Sequence, residues 1–326
     1  MSPVFPLPTI VVALLLAALV AAGAYAAMRF FNVPGGGGDA GIADAGAVTM
    51  ADAYGLGGLP ALRAPNPRGG PLPSPVQQDL VVSYYGAPQT PSMGILGQYP
   101  PEQMADLLDQ RAAAFRFLTR SWDVLPAVHL VYAVAQPDSG GDSLRYLDDR
   151  SVRQFIDMAR RRGFVTILDL QIGHSDPLAE VEAIAPYLEE PDVFVALDPE
   201  FALPDSTNPG EKIGSIDARG INEVQSYLAL LSAVDHLPKK MLIVHQFEGY
   251  MVTNAESIER RDDVDLVIDM DGYGPAGIKE AKYHTYSASS YAPHGGIKIF
   301  LQHDPDPLSE WSILSLNPRP ALVVYQ

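Results

Sequence analysis

Eight short apolar runs recur between residues 80 and 326, and they constrain the fold more than any other feature of the chain. Turn-rich sequence, and in most cases an amphipathic helical pattern, separates each run from the next. Strands that alternate with helices are typical of a parallel α/β fold, and eight such strands predict a closed (β/α)8 TIM barrel. The predicted strands are Leu80 to Tyr85, Ala127 to Gln136, Val165 to Gln171, Val193 to Glu200, Met241 to Glu248, Asp265 to Asp271, Gly296 to Asp304 and Ala321 to Gln326.

The length of this region favours one large domain. Residues 79–326 are close to the ~250 residues typical of a TIM barrel. A flavodoxin-like open sheet is the structural alternative, but eight strands favour closure. Helical patterns fill the connections: Pro101 begins one of them, and Asp148 or Asp149 can cap the next, which ends near Gly163.

Composition excludes several function classes. The chain has 22 basic and 39 acidic residues and a formal charge of −17, which opposes adsorption to nucleic acid. It has no cysteine, so disulfides, thiol nucleophiles and thiolate metal sites are excluded. No Gly-rich phosphate loop or serine nucleophile elbow occurs, and we therefore expect no nucleotide cofactor.

The N-terminal part of the chain is distinct from the predicted barrel. Residues 1–33 contain an apolar run from Thr9 to Met28, long enough to cross a hydrocarbon core of ~30 Å as a helix. This run predicts a transmembrane anchor or a signal segment. Residues 34–78 are rich in Gly, Ala and Pro, which predicts an extended or disordered stalk. We expect an extracytoplasmic barrel that is anchored through its N-terminal helix or secreted.

Acidic residues at the end of the fourth predicted strand give the sharpest chemical signal. Because side chains alternate along a strand, Asp198 and Glu200 lie on one face. In TIM barrels the catalytic residues lie at the carboxyl ends of the strands. Two neighbouring carboxyl groups cannot both ionise freely, so one pKa should rise and provide a general acid near neutral pH. A turn-capping Asp198 with a solvated Glu200 is the structural alternative.

At this position the chain resembles the barrel glycoside hydrolases, in which a Glu on the fourth strand often donates the proton. Asp198-Pro199-Glu200 is similar to the Asp-x-Glu end of the chitinase-type motif, although Val193 and Ala196 stand where the longer motif has acidic residues. The resemblance implies carboxylate acid/base cleavage of a glycosidic bond with Glu200 as the acid.

A second carboxylate is expected from the sixth or seventh strand. Asp269 and Asp271 share one face of strand six, and Gly272-Tyr273 follows them. We predict Asp271 as the nucleophile or as the base for water. Asp304, after strand seven, is the second choice, and a pair that caps turns or binds a structural cation is the alternative.

Other strand ends supply candidate substrate-binding groups. His245 and Glu248 lie at the end of predicted strand five and should point to opposite faces if the strand stays regular, so only one of them faces inward. Aromatic rings suit sugar C–H surfaces, whereas amides and carboxylates suit sugar hydroxyls. The predicted substrate-binding residues are Tyr85, Asp169, His174, His245, Glu248, Asp269, Tyr273, Asp304 and Tyr325.

Two further classes of function stay open at this point. Asp169, Glu200, His245 and Asp271 are a set that can hold a divalent metal for hydrolysis of a phosphate, ester or amide. The first strand, however, lacks the His-x-His of amidohydrolase-like barrels, and we predict no metal. A non-catalytic barrel that binds glycans or a protein is the third class. The predicted partners are a polysaccharide and, through the N-terminal helix, a membrane.

Overall fold

The computed structural model describes residues 76, 79–119, 122–137, 141–204 and 207–326. The predicted anchor at 1–33 and nearly all of the predicted stalk at 34–78 lie outside the described residues. Within the described part of the chain, no helix has the length and apolar character that a membrane crossing requires.

Eight parallel strands form the centre of the fold, and each overlaps one predicted apolar run. The second strand begins earlier than predicted. The fifth and seventh end earlier, because their last predicted residues belong to turns. The barrel strands are β1 (Asp79–Gly86), β2 (Asp123–Ala135), β3 (Val165–Gly173), β4 (Val193–Ala202), β5 (Lys240–Gln246), β6 (Val264–Met270), β7 (His294–Ile299) and β8 (Leu322–Tyr325).

The sheet closes on itself. Strand β1 pairs in parallel with β2 and also with β8, and the remaining neighbours follow chain order around the ring. Closure excludes the open-sheet alternative and confirms the TIM barrel. The pairing also sets side-chain layers, since Tyr85 is the partner of His129 and His245 is the partner of Asp269.

Helices cover the outside of the barrel, with short segments in the loops. Asp148 caps one helix, as predicted, by accepting a hydrogen bond from the Ser151 amide. The helices are α1 (Ile95–Gln98), α2 (Pro101–Thr119), α3 (Asp149–Arg161), α4 (Pro177–Ala183), α5 (Ala185–Leu188), α6 (Ala218–Val234), α7 (Ala276–Thr285) and α8 (Glu310–Leu314). The short pieces are 3-10 turns at Pro91–Met93, Gly249–Met251 and Ala255–Ser257, a strand Leu144–Tyr146 antiparallel to β2, and a pair formed by Ile216–Asp217 and Val252–Thr253.

The interior of the barrel changes character along its axis. At the amino-terminal ends of the strands, buried apolar side chains such as Ile167, Phe194 and Ile243 form one cluster, and Val76 joins it from outside the strands. Each such buried side chain contributes about 1.5–3 kcal/mol to folding. One or two inward positions further along the same strands, the side chains become ionisable. The apolar cluster therefore forms a floor beneath a polar chamber.

Candidate active site

Ionisable side chains from five strands fill the chamber above the apolar floor. Each of them is at most 3% exposed. The rings of His129 on β2 and His245 on β5 stack with their centroids 5.6 Å apart. These strands are not neighbours in the sheet, so the two rings can meet only inside the barrel. The other members of the chamber are Asp169 on β3, Asp269 on β6 and Lys298 on β7.

Hydrogen bonds link these groups into one chain. Asp169 Oδ2 lies 2.9 Å from His129 Nε2 and 2.8 Å from His245 Nε2. His245 Nδ1 lies 3.0 Å from Asp269 Oδ2 and 3.4 Å from Asp271 Oδ2. Both predicted carboxylates of strand six thus contact His245, and Asp169 joins the two histidines.

The protonation states follow from burial and from the neighbouring charges. Burial lowers the pKa of His129, which favours its neutral form. Burial also acts to lower the pKa of His245, but Asp169 and Asp271 outweigh it and raise that pKa well above its ordinary value. The two histidines in turn hold the pKa of Asp169 well below its usual range in spite of burial.

Lys298 connects this chain to the mouth of the barrel. Its Nζ lies 3.1 Å from Asp271 Oδ1 and 3.2 Å from Asp271 Oδ2. The same ammonium group lies 3.6 Å from the centroid of the Tyr85 ring, a cation–π contact. Burial alone would lower the pKa of Lys298, but Asp271 and the other carboxylates raise it. The Asp271 carboxylate therefore faces a fixed positive charge.

Asp198 and Glu200 lie at the end of β4, close to this pair. Burial raises the pKa of Asp198 to about 7, against the opposing effect of His245. Burial, reinforced by the charges of Asp198 and Asp271, raises the pKa of Glu200 to about 8. Asp198 Oδ1 also accepts a hydrogen bond of 3.0 Å from the Glu200 amide, so the predicted turn-capping contact exists beside the charge coupling. Glu200 is the partly exposed member of the pair.

Asp304 is buried among loop amides and a lysine and is not exposed at the barrel mouth. Its two oxygens accept hydrogen bonds from the amides of Gly274 and Phe300, at 2.8 and 2.9 Å. The buried Lys279 ammonium lies 3.0 Å from the same carboxylate. These contacts use both oxygens to hold the loops after β6 and β7, so the second choice for a catalytic carboxylate is corrected.

Tyr325 lies outside the barrel, and its assignment to the rim is corrected as well. Side chains alternate along β8, and Val324 belongs to the inner cluster, so Tyr325 points towards the helices. Its ring lies 6.4 Å from that of Phe115 on α2 and 4.5 Å from the guanidinium of Arg111. Tyr325 therefore packs the outer layer.

The remaining predicted residues lie around the mouth. His174 Nε2 lies 2.8 Å from the Thr207 carbonyl oxygen and so joins two loops. Glu248 lies beyond the end of β5 and pairs with Lys282 on α7 at 2.8 Å. Tyr273 packs against the rings of Phe300 and His303, and burial, together with the charge of Glu200, raises its pKa.

Two central residues were not predicted from the sequence. His129 and Lys298 lie within apolar strands, whereas the prediction took polar residues at strand ends. The signal was present in the alternation of β2, where His129 is in phase with the inward Ala127 and Val131. For Lys298 the inward direction follows from the pairing of β7 with β8, in which Lys298 is the partner of the inward Val324.

No protein-family profile matches the chain, and no curated protein matches it. Among solved structures, it is similar to Thermotoga maritima Cel5A in complex with cellobiose, with 13% identity and a TM-score of 0.42 over 78% of this chain and 91% of that one. A hyperthermophilic endo-β-1,4-glucanase in complex with substrate matches with 9% identity and a TM-score of 0.41, over 77% and 91% of the two chains. A ruminal endo-β-1,4-mannanase matches with 9% identity and a TM-score of 0.35, over 77% and 59%.

The chain resembles TIM-barrel glycoside hydrolases. At these identities and scores the likeness concerns the fold alone and assigns no family.

Proposed function

We propose that this protein is a glycoside hydrolase that cleaves a polysaccharide with Glu200 as general acid and Asp271 as the second carboxylate. One observation carries the proposal: two nearby carboxyl groups at the barrel mouth occupy opposite electrostatic environments. Burial and neighbouring negative charge raise the pKa of Glu200 to about 8, whereas Lys298 contacts both oxygens of Asp271. When two carboxyl groups have such different environments, the one that keeps its proton can act as the acid and the other as the base or nucleophile.

The proposed reaction uses each group in its favoured state. Glu200 donates its proton to the glycosidic oxygen as the bond to the anomeric carbon breaks. Asp271 either attacks that carbon, forming a glycosyl-enzyme ester that water then hydrolyses, or removes a proton from an attacking water. Lys298 and His245 keep the Asp271 carboxylate in place. Asp198 contributes its charge, which helps to keep the proton on Glu200.

Aromatic side chains near Glu200 suit a sugar substrate. Tyr250 is 53% exposed in the loop after β5, and Tyr273 lies in the loop after β6. Burial raises the pKa of both phenols, and negative charge on Glu200 adds to the rise. Aromatic faces of this kind pack against apolar sugar surfaces. Tyr85, beneath Lys298, is a part of the chamber and not of this outer surface.

We propose further that the barrel acts outside the cytoplasm. The support is the sequence of residues 1–78, in which an apolar run long enough to span a bilayer precedes a Gly/Ala/Pro-rich segment. Such an arrangement tethers a domain at some distance from a membrane, or exports it when the apolar run is cleaved. The domain boundaries proposed are 1–33, 34–78 and 79–326.

The test is the release of reducing ends from a panel of bacterial and plant polysaccharides by the full chain in mild detergent. Glu200→Gln should abolish release, because the amide cannot donate the proton, while leaving the fold intact. Glu223→Gln, at an exposed position on α6, is the matched control and should retain full activity. Wild-type turnover that survives in Glu200→Gln would refute the assignment of the acid.

The other two classes are separate outcomes of the same screen. Hydrolysis of a phosphate, ester or amide substrate in the absence of glycan cleavage would establish a hydrolase of another class. Glycan binding without turnover by the wild-type protein would establish a binding module. Either result would contradict the glycosidase proposal.

A further inference from the structure

We propose that His129, Asp169 and His245 form a binding site for one divalent transition-metal ion, with Zn²⁺ as the preferred ion, in the centre of the barrel. Each residue offers one ligand atom, and these atoms lie within 4.8 Å of one another. All three side chains are fully buried. The site lies beneath the Glu200 and Asp271 pair and adjoins it through His245, whose Nδ1 lies 3.4 Å from Asp271 Oδ2.

The ligand atoms have the chemistry that such an ion requires. Two imidazole nitrogens and one carboxylate are a common donor set for zinc and for other divalent ions of the first transition row. The chain has no cysteine, so nitrogen and oxygen ligands are the type it can offer. The two Nε2 atoms already converge on one atom, Asp169 Oδ2, at 2.9 and 2.8 Å.

A second carboxylate orients one of the proposed ligands. His245 Nδ1 lies 3.0 Å from Asp269 Oδ2, so the Nδ1 hydrogen has an acceptor and Nε2 is left to face the site. Metal-binding histidines nearly always have such an outer partner, which fixes the tautomer and increases the basicity of the ligand atom. Gly296 makes room for this partner, since a Cβ atom there would lie 2.6 Å from Asp269 Oδ1.

Unpartnered polar atoms provide independent support. In the described part of the chain, Asp169 Oδ1 and Asp269 Oδ1 are buried and have no hydrogen-bond partner. Buried polar atoms without a partner are rare in native proteins, and an ion or a bound water is a standard reason for them. Asp169 belongs to the proposed ligand set, and its Oδ1 is one of these atoms without a partner.

The negative charge of the chamber also favours a bound cation. A metal ion can bind His245 only after this imidazole has lost its extra proton, and that loss leaves the three carboxylates of Asp169, Asp269 and Asp271 facing the ammonium of Lys298. Two negative charges then remain in a dry interior, where uncompensated charge is costly. One divalent cation neutralises them.

The first experiment measures the metal content of the full chain, purified in detergent, by inductively coupled plasma mass spectrometry. The protein is then stripped by a chelator and reloaded with Zn²⁺ or with Co²⁺, whose visible absorption reports nitrogen and oxygen coordination. We expect one ion per chain. Removal should lower the melting temperature by about 5–10 °C when free metal is otherwise at ~100 times Kd.

Variants locate the ion. Asp169→Asn and His129→Gln should lose stoichiometric binding, whereas His174→Gln, which alters a histidine at the rim, should retain it. Glu200→Gln should also retain the ion, so that failure of the glycosidase proposal and failure of the metal site give different results. If a variant does not fold, the wild-type Co²⁺ spectrum still decides.

Two outcomes would overturn the inference. One is a folded wild-type protein that takes up no stoichiometric Zn²⁺, Co²⁺ or Mn²⁺ and whose melting temperature does not respond to them. The other is equal metal retention by Asp169→Asn, which would place the ion elsewhere. In either case, hydrogen bonds among the three residues, without a metal ion, account for their arrangement.

Discussion

Glu200 combines a useful acidity with a cost to the folded state. Its pKa rises from 4.5 to about 8 because burial and the charges of Asp198 and Asp271 disfavour the carboxylate. The same interactions that keep a proton available at neutral pH make the ionised form unfavourable in the native protein. Function and stability at this residue are therefore linked through one proton.

The first prediction concerns this linkage in Glu200→Gln. The folded pKa is raised, so the stabilising contribution is complete below about pH 4.5 and is lost as the pH rises to about 8. The glutamine variant has no such loss. Relative to the wild type, it should gain about 1–3 kcal/mol in unfolding free energy between pH 5 and pH 9. Denaturant titrations at both pH values measure this change, with Glu223→Gln as the control. A constant difference between wild type and Glu200→Gln would contradict it.

A second prediction concerns Asp198→Asn and the pH profile of turnover. Activity on the substrate found in the screen should fall as the pH rises through about 8, because Glu200 must be protonated. The charge of Asp198 is one of the causes of that high pKa. Its removal should move the alkaline limb of kcat/KM to lower pH by about one unit. An unmoved alkaline limb in a folded, active variant would show that Asp198 does not act on the acid.

At the scale of the element, the strands carry two separate patterns. Inward positions are apolar at the start of β3, β4 and β5 and ionisable further along, so one strand provides both floor and chamber. The loops that follow the strands then hold the residues at the strand ends in position. The loops after β6 and β7 are joined by Asp304, which binds two loop amides and Lys279.

The third prediction tests this structural role with Asp304→Asn. Asparagine keeps one acceptor oxygen, but it loses the second acceptor and the ion pair with a fully buried ammonium. The unfolding free energy should fall by about 2–4 kcal/mol. The pH profile of turnover should keep its shape, because Asp304 is not proposed to transfer a proton. Stability is measured by urea denaturation. A displaced pH profile with unchanged stability would restore Asp304 as a catalytic candidate.

Strands were predictable from the sequence, whereas the direction of individual side chains was less so. Each barrel strand is a short apolar run between turn residues, and such runs can be recognised one at a time. Tyr325 was misplaced because β8 is short and its inward phase is set by pairing with β1 and β7. Asp304 was misplaced because β7 ends at Ile299 and the chain then turns. His129 and Lys298 were missed because their partners are distant in sequence.

At the scale of the whole molecule, closure of the barrel allows a charged chamber to exist at all. The ionisable groups are surrounded by eight strands, and water is replaced by their mutual contacts. Breaking one buried charge pair leaves its partner uncompensated, which costs about 3–5 kcal/mol. The apolar floor and the outer layer of helices have to supply the stability that the chamber does not.

The fourth prediction concerns the amino-terminal limit of this unit. Strand β1 pairs with both β2 and β8, so residues 79–326 contain every strand contact that closes the barrel. We expect that segment to unfold cooperatively, with a near-ultraviolet circular dichroism spectrum typical of fixed aromatic side chains. Val76, however, is 7% exposed and belongs to the apolar floor. A chain that begins at residue 76 should therefore be more stable by about 1–2 kcal/mol.

Urea denaturation of the two segments, 76–326 and 79–326, measures the contribution of this short extension, and Val76→Ser in the longer one is the matched control. The serine variant should lose most of the gain, because the benefit comes from burial of the valine side chain in the floor. Equal stability of all three chains would show that the floor is complete without residue 76. A molten 79–326 with a folded 76–326 would instead move the domain boundary to the start of the floor, since closure by strand pairing alone would then be insufficient.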